Sequence, residues 1–127
     1  MKKIVGLLMM LLLVGSLNGF AQEGADLADE YFKKGEFEKA HTIYQKLMKP
    51  GASKQIISRY VESSVKLNKI PEAEKAIRKL VKSDDKNPYV FLQAGILEES
   101  RSDSAKADVY FNKAIAIAGN AINGLPE

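Results

Sequence analysis

The chain has a single histidine, His41, and no cysteine; among its carboxylates, Asp84-Asp85 and Glu98-Glu99 stand side by side. These residue types could in principle hold a metal or move protons. A zinc-type site needs several convergent nitrogen, sulfur or oxygen ligands. His41 has acidic neighbours but no second histidine, so it reads as a surface residue on a helix flank. General acid–base work needs a carboxyl group whose pKa is moved by burial or by a neighbouring charge. Asp84-Asp85 lies in the polar run Lys82-Ser83-Asp84-Asp85-Lys86-Asn87, which predicts a solvated loop. Glu98-Glu99 precedes Ser100-Arg101-Ser102-Asp103 near a helix end and reads as a solvated face. Without cysteine there is neither thiol catalysis nor thiolate ligation, and no glycine-rich phosphate loop or nucleophile elbow is present. The expectation is a protein with no catalytic, metal or cofactor-binding residues.

The elements that would carry any site are helical. Few segments alternate with period two, and β-branched residues are scattered. Boundaries are marked by Gly35, by Pro50-Gly51, by Ser53 as a cap, by Pro71 in a first turn, by Asn87-Pro88, by Asp103 and by Gly119-Asn120. They predict six helices near 24–34, 36–49, 53–67, 71–83, 88–101 and 104–118.

The first 21 residues read differently. Met1-Lys2-Lys3 is a short positive segment, and Ile4 to Val14 is an apolar run of 11 residues. Gly19 and Ala21 then supply the small side chains a signal peptidase selects, so cleavage is expected between Ala21 and Gln22. The rival is an uncleaved anchor, but Gly15, Ser16, Asn18 and Gly19 dilute the second half of the stretch. Residues 1–21 are therefore assigned as a signal peptide, with the rest exported to the periplasm or cell envelope and no membrane span left after cleavage. Net charge is +3 for the whole chain; without Lys2 and Lys3 it is 17 basic against 16 acidic residues. Lysine and glutamate alternate along the helices, which excludes the basic stripe that neutralises nucleic-acid phosphates. A small exported domain without disulfides must be held by core packing alone.

The helices repeat as pairs. Ala40, Ala73 and Ala107 fall in register, spaced by 33 and then 34 residues. Four residues on come Tyr44, Ile77 and Phe111, and three beyond those Leu47, Leu80 and Ala114; the first helices align as Ala28, Val61 and Gly95. A small residue with a bulky one a turn later suits close packing of two helices. A period of 33–34 residues is that of tetratricopeptide repeats.

Residues 24–118 resemble a tetratricopeptide repeat array, most clearly in Gly35-Glu36-Phe37-Glu38-Lys39-Ala40, Tyr44 and Leu47, and again in Ala107, Phe111 and Asn112-Lys113-Ala114-Ile115. The middle repeat departs, with Asn68 at the usual turn glycine and Val61 at the small first-helix position. With its leader ending Phe20-Ala21-Gln22, the chain is similar in style to exported repeat proteins of Bacteroidetes-type bacteria. The resemblance implies an all-α, right-handed superhelical solenoid of three helix-turn-helix hairpins, at about 22–53, 54–87 and 88–118, followed by a tail at 119–127. It implies a module that binds a protein or peptide partner on a concave face lined by first helices. On this chain that face would carry Ala25, Asp29, Phe32 and Lys33, then Ser58, Arg59, Glu62 and Lys66, then Tyr89, Leu92, Gln93 and Ile96. Phe37, Tyr44, Phe91 and Phe111 would instead pack the core. Repeat arrays that clamp a carboxylate use basic and asparagine residues where this chain has Ala25, Asp29, Arg59, Tyr89 and Gln93, which argues against that mode. Asp103-Ser104-Ala105 is similar to an O-glycosylation acceptor and equally reads as a helix cap. The last helix, with Val109, Phe111, Ala114, Ile115, Ile117 and Ala118, is apolar on more than one face and invites self-association or further repeats. The alternative is the N-terminal repeat section of a larger envelope enzyme or assembly subunit.

Overall fold

The computed structural model describes residues 24–124, and the signal-peptide assignment at 1–21 lies outside them. The described residues are all-helical, with no strand among them. Residues 24–33 form α1, followed by α2 (Phe37–Leu47), α3 (Lys54–Lys66), α4 (Ile70–Ser83), α5 (Pro88–Ser100) and α6 (Ser104–Asn123).

Side chains predicted to cap do so. Ser53 accepts from the Ile56 amide, Asn87 from Tyr89 and Asp103 from Lys106, each satisfying an amide the helix cannot. Pro71 sits in the first turn of α4, where its missing N–H costs nothing. The predicted boundaries hold to within one or two residues except at the end. α6 continues through Gly119 and Asn120 to Asn123, where the expectation was a stop at 118. A mid-helix glycine costs only about 1 kcal/mol, and the surrounding Ala118, Ala121 and Ile122 extend the helix until the Gly124 amide bonds back to Asn120.

The turns that close successive helix pairs are the same structure three times. Gly35, Asn68 and Ser102 each take positive φ, at 78°, 57° and 64°. Around them the bonds Glu36→Tyr31, Lys69→Ser64 and Asp103→Glu98 span five residues. Gly35→Phe32, Asn68→Val65 and Ser102→Glu99 span three. This is the paired bonding of a Schellman end, which satisfies the last carbonyls of the first helix of each pair. Each left-handed residue is followed five positions later by an alanine with no solvent exposure: Ala40, Ala73 and Ala107.

One core runs through the array. Tyr44, Ile57, Tyr60, Val61, Ile77, Leu80, Val90, Ala94 and Leu97 are buried in it together with Ala28. α5 is the most buried helix because α3, α4 and α6 all pack against it, and only the stripe of Tyr89, Leu92, Ile96 and Glu99 stays exposed along its length before Ser100. Gly95 allows the closest of these approaches, since a Cβ there would stand 2.3 Å from the Phe111 ring. Phe91 and Tyr44 lie inside as expected, while Phe37 and Phe111 are only half-buried. Polar ties join successive turns. Lys69 reaches Glu38 at 3.1 Å, Arg101 reaches Glu74 at 2.7 Å, and the Gly51 amide donates to the Asp84 carboxylate at 3.1 Å.

Candidate binding cleft

α3 is the centre of the candidate site because it shows different residues on its two sides. Ser58, Val61, Glu62, Val65 and Lys66 turn toward α5 and, with Gln93, Ile96 and Ser100, line a cleft of about 410 Å³. The floor is apolar and the rim carries a carboxylate and an ammonium. Ile96 and Val65 are each 39% exposed and stand together in the cleft, so their apolar surface is contiguous. Tyr89 and Leu92 lie exposed on the same helix as Ile96.

The ten residues expected to form a binding face separate into groups. Glu62, Lys66, Gln93 and Ile96 meet in the cleft. Arg59 joins Phe32, with its guanidinium 4.2 Å from the ring centroid, and also pairs with Glu62 at 3.4 Å. Phe32 in turn meets Phe37 edge to face, and Lys66 lies over the Phe37 ring. A continuous cationic–aromatic seam thus runs from α1 across to α3, built from contacts that strengthen where water is excluded. Asp29 is already committed: the Tyr44 hydroxyl and the Gln55 amide both donate to its carboxylate. Burial, followed by this acceptor, pushes the Tyr44 phenol well above its ordinary range. Lys33 is exposed at the end of α1, and Tyr89 lies beneath the Lys54 ammonium. Gln93 is 7% exposed, so it can offer little to a partner beyond a buried amide.

Sequence reasoning missed Val65, Ser100 and Lys54. Val65 had a signal: it stands one turn after Val61, outside the core stripe, as an apolar residue with no repeat position to fill.

No protein-family model matches the sequence, and no curated protein does. The chemistry of the site therefore rests on its geometry.

Two expectations about chemistry-bearing residues are corrected. His41 is not on the surface. It is 2% exposed, stacked on Tyr60 with ring centroids 4.9 Å apart, its Nε2 3.0 Å from Ser64 Oγ. The reason is α3, whose Tyr60 and Ser64 close over the ring, whereas Glu74 and Asp108, next to Ala73 and Ala107, are not buried. Serine and histidine at this distance resemble a nucleophile and its base. The geometry is that of a packed pair: Ser64 Oγ donates to the Tyr60 carbonyl at 2.7 Å, which leaves it to accept from His41 Nε2. Both side chains are also sealed from solvent. Burial first, then the Lys69 charge, lowers the His41 pKa below its ordinary value, with Glu38 and Glu72 opposing.

Glu98 is likewise not on a solvated face. It is 3% exposed, covered by Arg101 with a guanidinium–carboxylate distance of 3.7 Å, whereas Glu99 faces solvent. Asp84 does more than line a loop, because it accepts from both Gly51 and Asn87 and fastens two turns together. Among the described residues no group of three or more histidine, cysteine or acidic residues could hold a metal. No helix there is long and apolar enough to cross a membrane.

Proposed function

We propose that the chain is an exported interaction module of three tetratricopeptide-like repeats whose first helices bind a protein or peptide partner, without chemistry of its own. The observation that carries this reading is the threefold coincidence of turn and core. Left-handed residues at 35, 68 and 102 are each followed, five residues on, by a fully buried alanine. A period of 33–34 residues in both backbone and core is what stacked helix pairs of this class need. The cleft between α3 and α5 supports the binding part. Its apolar floor and mixed rim suit an amphipathic helix or extended peptide, and Arg59, Phe32 and Tyr89, outside the cleft lining on first helices, are of the types that anchor partners.

The test is a selected peptide ligand whose footprint is mapped by amide chemical shifts. Perturbation along α3 and α5, abolished by Arg59→Glu with Tyr89→Ala while helicity stays unchanged, supports the proposal. A footprint confined to α2 and α4 refutes it.

The exposed Val109, Ile115 and Ile122 on α6, each 67–68% accessible, favour a second reading in which that helix is covered by further repeats or a partner subunit. Light scattering with size-exclusion chromatography separates the two: a monomer that binds no hydrophobic dye removes the second.

A further inference from the structure

The side of α3 opposite the cleft faces a second, larger depression. Tyr60 and Glu62 are two residues apart and so point about 200° apart around the helix; Glu62 lines the α3–α5 cleft, and Tyr60 lies at the bottom of a groove of about 840 Å³ between α2 and α4. Lys49, Lys75, Lys79 and Lys82 line this groove, against one carboxylate, Glu72. None of the four lysines forms an ion pair among the described residues, although Glu74 on the same helix is held by both Arg78 and Arg101. Between the ammonium groups the wall is apolar, supplied by Met48, Ala76 and Leu80. An independent sign comes from Tyr60. Its side chain has no solvent exposure, yet its phenol oxygen has no hydrogen bond of normal geometry among the described residues, although the Ser64 hydroxyl lies near enough to act on it. Such an atom normally has a partner, because an unsatisfied buried hydroxyl is costly.

The spacing on α4 explains the arrangement. Residues 75, 79 and 82 follow the i, i+4, i+7 row of one helix face, while Ala76 and Leu80 follow the neighbouring row toward the core. Three cations in a row beside an apolar strip repel one another until an anion arrives. A lysine ammonium is a compact charge with rotatable donors, so it accepts a carboxylate or a phosphate without demanding a fixed geometry. A polyanion would not need the apolar wall, and a neutral lipid would not need the lysines.

We infer that the α2–α4 groove is a binding site for a small anionic amphiphile: a carboxylate or phosphate monoester on a short acyl or aryl body. The lysines hold the head group, and Met48, Ala76 and Leu80 cover the body. The site is independent of the cleft proposed for a peptide partner and can be present or absent whatever binds there.

The experiment is an amide-shift titration of the chain with decyl phosphate below its micelle concentration, run beside inorganic phosphate and decyl maltoside. Saturable shifts at Met48, Ala76 and Leu80 are expected with decyl phosphate, with at least tenfold weaker binding for each of the other two probes. Lys75→Gln with Lys79→Gln should weaken decyl phosphate by about tenfold, consistent with two exposed charge contacts. Tyr60→Phe should weaken it by about threefold to fivefold with helicity intact, and Lys113→Gln on α6 should leave it unchanged. A further arm uses vesicles: co-sedimentation with phosphatidylglycerol but not phosphatidylcholine, lost in the lysine variant, would place the anion in a membrane surface rather than in solution. Decyl maltoside binding as tightly as decyl phosphate, inorganic phosphate doing so, or shifts on α3 and α5 instead would each overturn the assignment.

Discussion

Replacing Gly95 by alanine sets two effects of opposite sign against each other, and the structure decides between them. Gly95 lies inside α5, where alanine is the better helix former by about 0.8–1.0 kcal/mol. Propensity alone therefore predicts a more stable protein. The new methyl group, however, would stand 2.3 Å from Phe111 Cε1, 2.6 Å from Cδ1 and 2.9 Å from Cζ. Carbon atoms in contact prefer about 3.5–4.0 Å, so the ring must move by more than 1 Å or the helices must separate. The clash involves the near edge of the ring as well as its far end, so a small χ rotation does not relieve it. Overpacking of this kind costs about 1–3 kcal/mol, and a ring driven outward also forfeits part of the about 1.5–3 kcal/mol that burying a phenylalanine contributes. After the propensity gain, a net loss of about 1–2 kcal/mol is expected. For a domain of this size that is a fall in Tm of about 4–12 °C by circular dichroism. Phe111→Leu in the same background should recover part of it, giving a coupling energy of about 1 kcal/mol in a double-mutant cycle. A rise in Tm for Gly95→Ala, or additive effects of the two changes, would refute the packing described for α5 against α6.

Ala40→Leu, Ala73→Leu and Ala107→Leu should each destabilise by about 1–3 kcal/mol, since all three alanines are fully buried at helix crossings; unchanged melting in all three would refute the shared register. His41→Ala should cost about 2–3 kcal/mol by urea denaturation, through the lost ring stacked on Tyr60 and the lost hydrogen bond to Ser64. Because folding lowers the His41 pKa, the unfolded chain takes up a proton first as pH falls below about 6.5. Stability is therefore full above that pH and declines below it until the folded form also titrates, a slope that His41→Gln should flatten between pH 7 and 5. Intact mass of protein from its native host should give an N-terminus at Gln22, and a membrane-retained product carrying residues 1–21 would show an anchor instead.

What was legible in the sequence is what repeats. Ala40, Ala73 and Ala107 could be aligned because a small side chain is required wherever two helices cross closely, and the same crossing occurs three times. Ser53, Asn87 and Asp103 were readable as caps because an end amide needs a local acceptor whatever the fold. The end of α6 was not readable. Gly119-Asn120 has the composition of a stop, but neither residue takes the left-handed conformation that ends α1, α3 and α5, and α6 stops only at Gly124, with φ −87°. Composition indicates that a helix can end; the backbone decides whether it does.

His41 and Glu98 show a different limit. Both were read from their own helix, where flanking charges make a solvated position reasonable, and both are buried, His41 against the distant α3 and Glu98 beneath Arg101. Ser64, 23 residues from His41, supplies the acceptor that makes a buried imidazole tolerable. The same reasoning applies to the two surfaces of α3. Glu62, Lys66 and Ile96 could be assigned to one face by their register along α3 and α5, which pack together. The lysine groove has no such register. Lys49 belongs to the exit of α2 and Lys75, Lys79 and Lys82 to α4, so they meet only in the folded chain. Residue spacing along one helix places three of those charges in a row, but it does not place the groove beside them. A groove between two helices is therefore less visible in sequence than a row along one, since it depends on how separate helices pack rather than on any one of them.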